Sequence, residues 1–343
     1  MHRRPTIVTA VAALTAAAAL LLSGCVAGEG AASGSTAGVT KGGTLNIDFA
    51  TYNPLSLVIK KEGWLEKALK KQDITVNWVQ SAGSNKANEA LRSGAIDVGS
   101  TAGSAALLAR ANGSAITTID IFSQPEWSAL VVGPDSPITS VKELKGKQIA
   151  ATKGTDPYFF LLQALEANGL SASDVTIQNL QHADGWAALQ NGSVQAWSGL
   201  DPIMANAQKA GAKLIYRNVK FNTYGFLNAT ESFLSSKPDV AQTVVNTYEH
   251  ARAWALKHPN ETAKILADVA GIDPAVATTV ITERSNLGVS NVPGAAQLAV
   301  LKKVGPIFVE SGDVRTQADI DKALGSLLDP TFAKKADPSA IGG

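Results

Sequence analysis

The chain has 343 residues, with 30 Lys and Arg against 29 Asp and Glu, and a net charge of +1. The near balance, with no basic tract or basic-aromatic stripe, argues against nucleic acid as a partner. A single cysteine excludes a disulfide framework and a cysteine-based zinc site.

Arg3 and Arg4 form a short basic head, and 6–22 is an unbroken run of apolar and small residues. Leu22-Ser23-Gly24-Cys25 ends it. Basic head, apolar core and small-residue cleavage site make a secretory signal, predicted over 1–24. The run is just under membrane-spanning length, so a retained helix competes with that reading. Small residues before a lone cysteine resemble the lipobox of bacterial lipoproteins, and the resemblance implies lipidation at Cys25. The twin-arginine route is raised by the Arg pair, but the residues after it fit that signal poorly. Residues 26–43 are Gly, Ala, Ser and Thr with almost no bulky side chains. Such a stretch buries too little to fold, so 25–43 is predicted to be a flexible linker. Roughly 300 residues remain, enough for two lobes. No later apolar run approaches membrane-spanning length.

The body opens with a strand at 44–49 and a helix at 55–69 interrupted by Gly63 and Trp64. A strand at 74–79, a helix at 85–93, a strand at 96–99, a helix at 105–111 and a strand at 115–122 follow. This alternation predicts a mainly parallel α/β sheet. The pattern then repeats. Ser140-Val141-Lys142-Glu143 is a capping box. Strands are expected at 148–151, 175–180, 194–198 and 214–216, and helices at 158–168, 184–191 and 203–209. The halves share a phrase: Ala90-Leu91-Arg92-Ser93-Gly94-Ala95-Ile96-Asp97 aligns with Ala188-Leu189-Gln190-Asn191-Gly192-Ser193-Val194-Gln195. From Pro238 only helices are predicted, at 240–257, 261–270, 274–284, 295–311 and 316–328, and the first lobe is their natural support. Segments 128–133 and 224–229 are expected to cross between lobes. The predicted division is 44–131 for the first lobe, 132–225 for the second, 226–330 for the return with its helices, and 331–343 for a tail.

The runs Ser136-Pro137-Ile138, Val141 to Lys147, and Lys153-Gly154-Thr155 resemble the substrate-binding subunits of ABC importers, in particular the aliphatic sulfonate, taurine and nitrate group. Gly192-Ser193-Val194-Gln195-Ala196-Trp197 with Asp201-Pro202 is the most specific match, and the resemblance spans 45–328. It implies a periplasmic-binding-protein fold of the second type, with two α/β lobes closing on a ligand in a cleft. It also implies a permease and an ATPase as partners. Two places depart from the group. Tyr52-Asn53-Pro54 stands where many members carry Gln or Lys beside the aromatic, and Ser100 to Ser104 lacks an acidic residue often seen there. Both leave the particular ligand open.

In open α/β sheets ligands bind beyond the carboxyl ends of the strands. That rule selects the loops 51–54, 81–85, 100–104, 153–157 and 199–202. Three are small, Gly-containing and hydroxyl-bearing, each just before a helix, which suits an anion. Candidate ligand-binding residues are Tyr52, Asn53, Gly83, Ser84, Thr101, Gly103, Ser104, Lys153, Gly154, Thr155, Trp197 and Asp201. For the Ser and Thr residues, plain N-capping is the competing role. Lys153 is either a counter-charge to the anion or a solvated lysine. Asp201 before Pro202 is either a helix cap or a partner for an amine, as in taurine. Tyr52, Trp127, Trp197 and Tyr224 are candidate walls for an apolar or cationic part of the ligand.

No catalytic set assembles from His2, His182, His250 and His258. The expectation is therefore an exported, lipid-anchored monomer on the outer face of the cytoplasmic membrane. It takes a small anionic solute, most readily an aliphatic sulfonate, without cofactor or metal. Binding of taurine, nitrate or a thiamine-pyrimidine precursor stays open. So do an enzyme akin to thiamine-pyrimidine synthases and a sensor role.

Overall fold

The computed structural model describes residues 40–342; Cys25, the signal and most of the linker lie outside the described residues. The chain begins with β1 (Thr44–Phe49), α1 (Pro54–Glu62), α2 (Trp64–Leu69), β2 (Thr75–Gln80), α3 (Ser84–Ser93), β3 (Val98–Ala102), α4 (Gly103–Ala111) and β4 (Ile116–Ser123). It continues through β5 (Ser128–Val132), β6 (Gln148–Ala150), α5 (Asp156–Ala167), β7 (Thr176–Gln178), α6 (His182–Gln190), β8 (Ala196–Leu200), α7 (Ile203–Lys209) and β9 (Lys213–Arg217). Then come β10 (Gly225–Thr230), α8 (Glu231–Ser236), α9 (Pro238–Lys257), α10 (Pro259–Ala270) and α11 (Pro274–Thr279). The last runs into a π-helical turn at Val280–Arg284, before α12 (Ala295–Glu310), α13 (Gln317–Leu324) and α14 (Thr331–Lys334).

Local chemistry accounts for the breaks. Gly63, at φ +65°, ends α1 in the left-handed region and donates its N–H to the Ile59 carbonyl at 3.0 Å, where a side chain would be strained. The Ser140 capping box is present, with both Ser140 and Glu143 bonding as expected.

The strands form two sheets of the same design, ordered β2-β1-β3-β10-β4 and β7-β6-β8-β5-β9. In each, four strands run the same way and the fourth position is taken by an antiparallel strand: β10 pairs with β3 and β4, and β5 with β8 and β9. The exchange is reciprocal. β5 follows the outgoing crossing directly, and β10 follows the returning one. Segments 128–133 and 224–229, expected to be the crossings, are thus mostly strand. Their branched and apolar residues are buried with backbone paired on both sides, and the crossings shrink to 124–127 and 222–224. β3 and β8 likewise reach two residues or more beyond their predicted ends, because neighbouring strands supply hydrogen-bond partners that local propensity does not register.

The C-terminal helices pack mainly on the first lobe. α9 and α10 lie over α1, and Val240, Val244, Tyr248 and Leu266 join Leu55 and Ile59 in one core. α12 and α13 lie over α4, and α12 also reaches the second lobe, where Phe308 meets Phe159 of α5 at 4.4 Å between ring centroids. Arg252 of α9 reaches into this body as a buried pin. Its guanidinium donates to the carbonyls of Ile121, Phe122 and Leu287 at 2.5, 3.0 and 2.6 Å. At the N-terminal edge, the backbone N–H and hydroxyl of Thr40 both donate to the Asp239 carboxylate in the first turn of α9, at 2.8 and 2.5 Å.

Candidate functional site

The carboxyl ends of the strands face each other across the seam between the sheets. Two small hollows lie there, each with room for about one water. They share one wall, the edge-to-face pair Tyr52 and Trp127, with ring centroids 6.1 Å apart. Such a pair offers an apolar face to a ligand's carbon skeleton. Tyr52 is fixed by its hydroxyl, which donates to the Ser100 carbonyl at 2.9 Å.

The first hollow is lined by Thr51, Ser123, Asp201, Arg284 and Ser285 beside the aromatic pair. Asp201 and Arg284 come from opposite lobes and meet as a buried ion pair. Arg284 Nη1 lies 3.2 Å from each Asp201 oxygen, and Nη2 donates to Gln208 Oε1 at 2.6 Å. Asp201 Oδ1 also accepts from Ala205 N at 2.9 Å in the first turn of α7, but the N-cap position is Pro202 and not, as predicted, Asp201. Burial pushes the Asp201 carboxyl up to about 6, and the Arg284 charge keeps it from rising further. Under the first lobe's site loops, burial pushes the Asp48 carboxyl up to about 7, against hydrogen bonds from Ser81 and Ser100.

The second hollow is lined by Ser84, Thr155, Asp156 and Leu200 beside the same aromatics. Ser84 Oγ accepts from Ala102 N at 2.9 Å, and Thr155 Oγ1 donates to the Thr152 carbonyl at 2.6 Å. Gly83 and Gly154 each face the opposite lobe closely. A Cβ on Gly83 would stand 3.0 Å from His182 Nε2, and one on Gly154 3.6 Å from the Asn85 Cβ.

The remaining predicted residues fall elsewhere. Asn53 is fully buried and caps α1, accepting from Ser56 N at 3.3 Å and donating to Tyr248 at 3.2 Å. Thr101 belongs to β3, and its hydroxyl is spent on the Ala102 carbonyl and the Asn228 amide. Gly103 packs under the Phe226 ring, and Ser104 donates to Asp156. Trp197 is buried in the second lobe's own core, near Trp186, because its strand runs on to Leu200. Lys153 is exposed. Its ammonium lies 5.6 Å from the Tyr158 ring centroid, on an outer groove with Leu162 and Ile307. The cation of the seam is instead Arg284, at the end of a predicted helix far along the chain, with no local motif to mark it. Asp156 and Thr223 were also missed; Asp156-Pro157 reads only as a helix start.

His182 is buried at the same seam. Thr152 Oγ1 donates to the Leu180 carbonyl at 2.6 Å, so the 3.2 Å contact makes His182 Nδ1 the donor and leaves Nε2 as an acceptor without a partner. Burial lowers its pKa to about 4. The unfolded chain, near 6.5, therefore binds more protons between those values. The contribution of neutral His182 is intact above pH 6.5 and is lost as pH falls through 4. The stability gap between wild type and His182→Gln is expected to move against wild type by up to about 3 kcal/mol from pH 7 to pH 4. Urea denaturation at the two pH values measures it, and a gap that stayed constant would refute the assignment.

Among the described residues, no group of three or more His, Cys, Asp or Glu side chains is placed to hold a metal, and no helix is long and apolar enough to cross a membrane.

Residues 57–262 match the family described as NMT1/THI5 like. A Bacillus subtilis (strain 168) protein named for binding aliphatic sulfonates is 33% identical over 296 residues, covering 83% of this chain and 85% of its own. An Escherichia coli (strain K12) protein of the same name is 27% identical over 252 residues, covering 73% and 79%. The solved alkanesulfonate-binding protein SsuA from Xanthomonas axonopodis pv. citri, bound to MOPS, superposes with a TM-score of 0.75 at 25% identity, covering 83% of this chain and 99% of that one. Two matched lobes with a lined seam between them, and relatives along nearly the whole body, lead to one conclusion: the chain belongs to the NMT1/THI5-like family and is a substrate-binding protein of the periplasmic-binding-protein fold.

Proposed function

We propose that this chain is the extracytoplasmic binding lipoprotein of an ABC importer, which captures an aliphatic sulfonate between its lobes and delivers it to the permease. The observation that carries the reading is the seam itself. An aromatic pair suits an alkyl chain, and a buried guanidinium from the opposite lobe supplies charge for an anion. The names of the relatives favour a sulfonate among small anions. Tyr52, Trp127, Ser84 and Thr155 of the predicted candidates, with Arg284 added, are the proposed contacts, and Asp201 holds the Arg284 guanidinium in place; Lys153 is dropped. The role is capture and release, with no turnover. Cys25, acylated, holds the protein to the outer face of the membrane as a monomer.

Calorimetry with short alkanesulfonates, taurine, sulfate, nitrate and phosphonates tests this. An alkanesulfonate is expected to bind most tightly and, at about 100 times its dissociation constant, to stabilise the fold by roughly 2.7 kcal/mol. Indifference to every one of these anions would sink the proposal. The anchor has its own test: a Cys25→Ala chain still found with the membrane fraction would refute it.

A further inference from the structure

One carboxylate sits where both lobes and both crossings meet. Asp156 opens α5 of the second lobe and is 1% exposed. Its Oδ1 accepts from Ser104 Oγ at 2.5 Å and Thr223 Oγ1 at 2.7 Å. Its Oδ2 accepts from Trp127 Nε1 at 2.8 Å and Thr223 N at 2.7 Å. Ser104 belongs to α4 of the first lobe, Trp127 ends the outgoing crossing, and Thr223 stands in the returning one. Ser104 N donates in turn to Thr223 Oγ1 at 3.0 Å, which keeps that hydroxyl aimed at Asp156.

This is more than a helix start needs. An acidic residue in a first helical turn interacts well with the helix end while exposed to water. Burial instead costs the carboxylate its hydration, a cost offset only by full hydrogen bonding. Here every donor is neutral and none is a Lys or Arg. Burial raises the Asp156 pKa, and the four hydrogen bonds hold that rise back. Neutral donors converging on two oxygens from three separate segments make an anion hole, comparable to those that bind free oxyanions.

We propose that Asp156 is a positioning residue, the resident anion of a preformed anion hole at the hinge, which pins both lobes and both crossings at one point. The hole is distinct from the ligand's charge partner Arg284 and does not depend on which solute the cleft takes. It follows that a free monocarboxylate the size of formate replaces the side chain once that is removed.

The test uses the full chain and formate as the probe. Asp156→Gly leaves four buried donors without an acceptor, so it is expected to melt roughly 5–10 °C below wild type. Small-angle scattering should show a broader spread of interlobe distances. Formate should reverse both changes saturably. Chloride at the same ionic strength should not, and wild type should not respond to formate. Ser104→Ala, which removes only the first lobe's side-chain link, should melt between wild type and Asp156→Gly and broaden the interlobe distribution. An inert formate titration, an equal response from wild type, or a Ser104→Ala distribution as narrow as wild type would each overturn the proposal. Should Asp156→Gly fail to fold, a second variant keeps the proposal open to refutation. An Asn side chain can satisfy this hole by turning its oxygen to the two N–H groups and its amide N–H to the two hydroxyls. The deciding variant is then Thr223→Val, which removes the hydroxyl that donates to Asp156 and accepts from Ser104 N; a broad interlobe distribution is expected, and a wild-type one would overturn the proposal.

Discussion

Replacing Arg252 with methionine is expected to lower folding stability by about 3–5 kcal/mol, the cost of breaking a buried ionic network from one side. The guanidinium is 8% exposed and donates to three main-chain carbonyls from two segments. It also bonds Glu249 through Nε at 3.0 and 3.1 Å and lies 3.6 Å from the buried Asp120. Burial and the neighbouring Glu249 charge already push the Asp120 carboxyl well above the usual range, and Arg252 works against that rise. Methionine fills part of the volume but provides no donor, so three carbonyls lose their partner and two carboxyls lose their cation. In a body of this size the loss corresponds to a melting temperature roughly 6–10 °C lower. Calorimetric melting and urea titration measure it. A loss under about 1 kcal/mol would mean that water reaches these groups after all.

The second large effect falls on binding. Arg284→Ala is expected to weaken an alkanesulfonate by about 2–4 kcal/mol, roughly 30- to 1000-fold in dissociation constant. Melting of the unliganded protein should change little. The reason lies in where the pair sits. Asp201 and Arg284 belong to different lobes, meet across the seam and are 3% and 5% exposed there. Without Arg284, closure would bury Asp201 unpaired, and the protein can escape that cost by parting the lobes and readmitting water. The penalty is therefore charged to closure on the ligand and not to folding. Asp201→Asn should be milder, since a neutral amide needs no counter-charge. Calorimetry beside thermal melting separates the two. A large fall in melting temperature with affinity intact would place Arg284 in the fold alone.

Periodicity and caps placed most elements, helped by left-handed glycines at the ends of α1, α3 and α10, whereas α8, α14 and the exchanged strands β5 and β10 escaped them. The repeated phrase carried real information. Ala90–Asp97 joins α3 to β3 and Ala188–Gln195 joins α6 to β8, and β3 and β8 hold the same place in their sheets. Loop positions beyond the strand ends were legible wherever the strand ended on time, as at Tyr52 and Thr155. Where a strand ran on, the reading failed: Thr101 became a ladder residue and Trp197 a core residue. Lys153, the only cation in those loops, left a cleft charge and a solvated lysine both open, and a long flexible side chain beside an open groove follows solvent. Arg284 and Asp156 were out of reach for a different reason. Their roles come from partners 83 and 67 positions away, Asp201 and Thr223, and no spacing rule along one chain encodes a meeting between two lobes.

The clasp between Thr40 and Asp239 has a mechanical consequence. A pull applied at Thr40, where the described residues begin, would pass through Asp239 into α9. That helix is bolted to α1 and α2 and, through Arg252, to the end of β4. The load path therefore stays within the first lobe and bypasses both crossings. On the anchor proposed at Cys25, a leash attached there would hold one jaw still and leave the other unloaded, so tension on it would do no work on opening or closing.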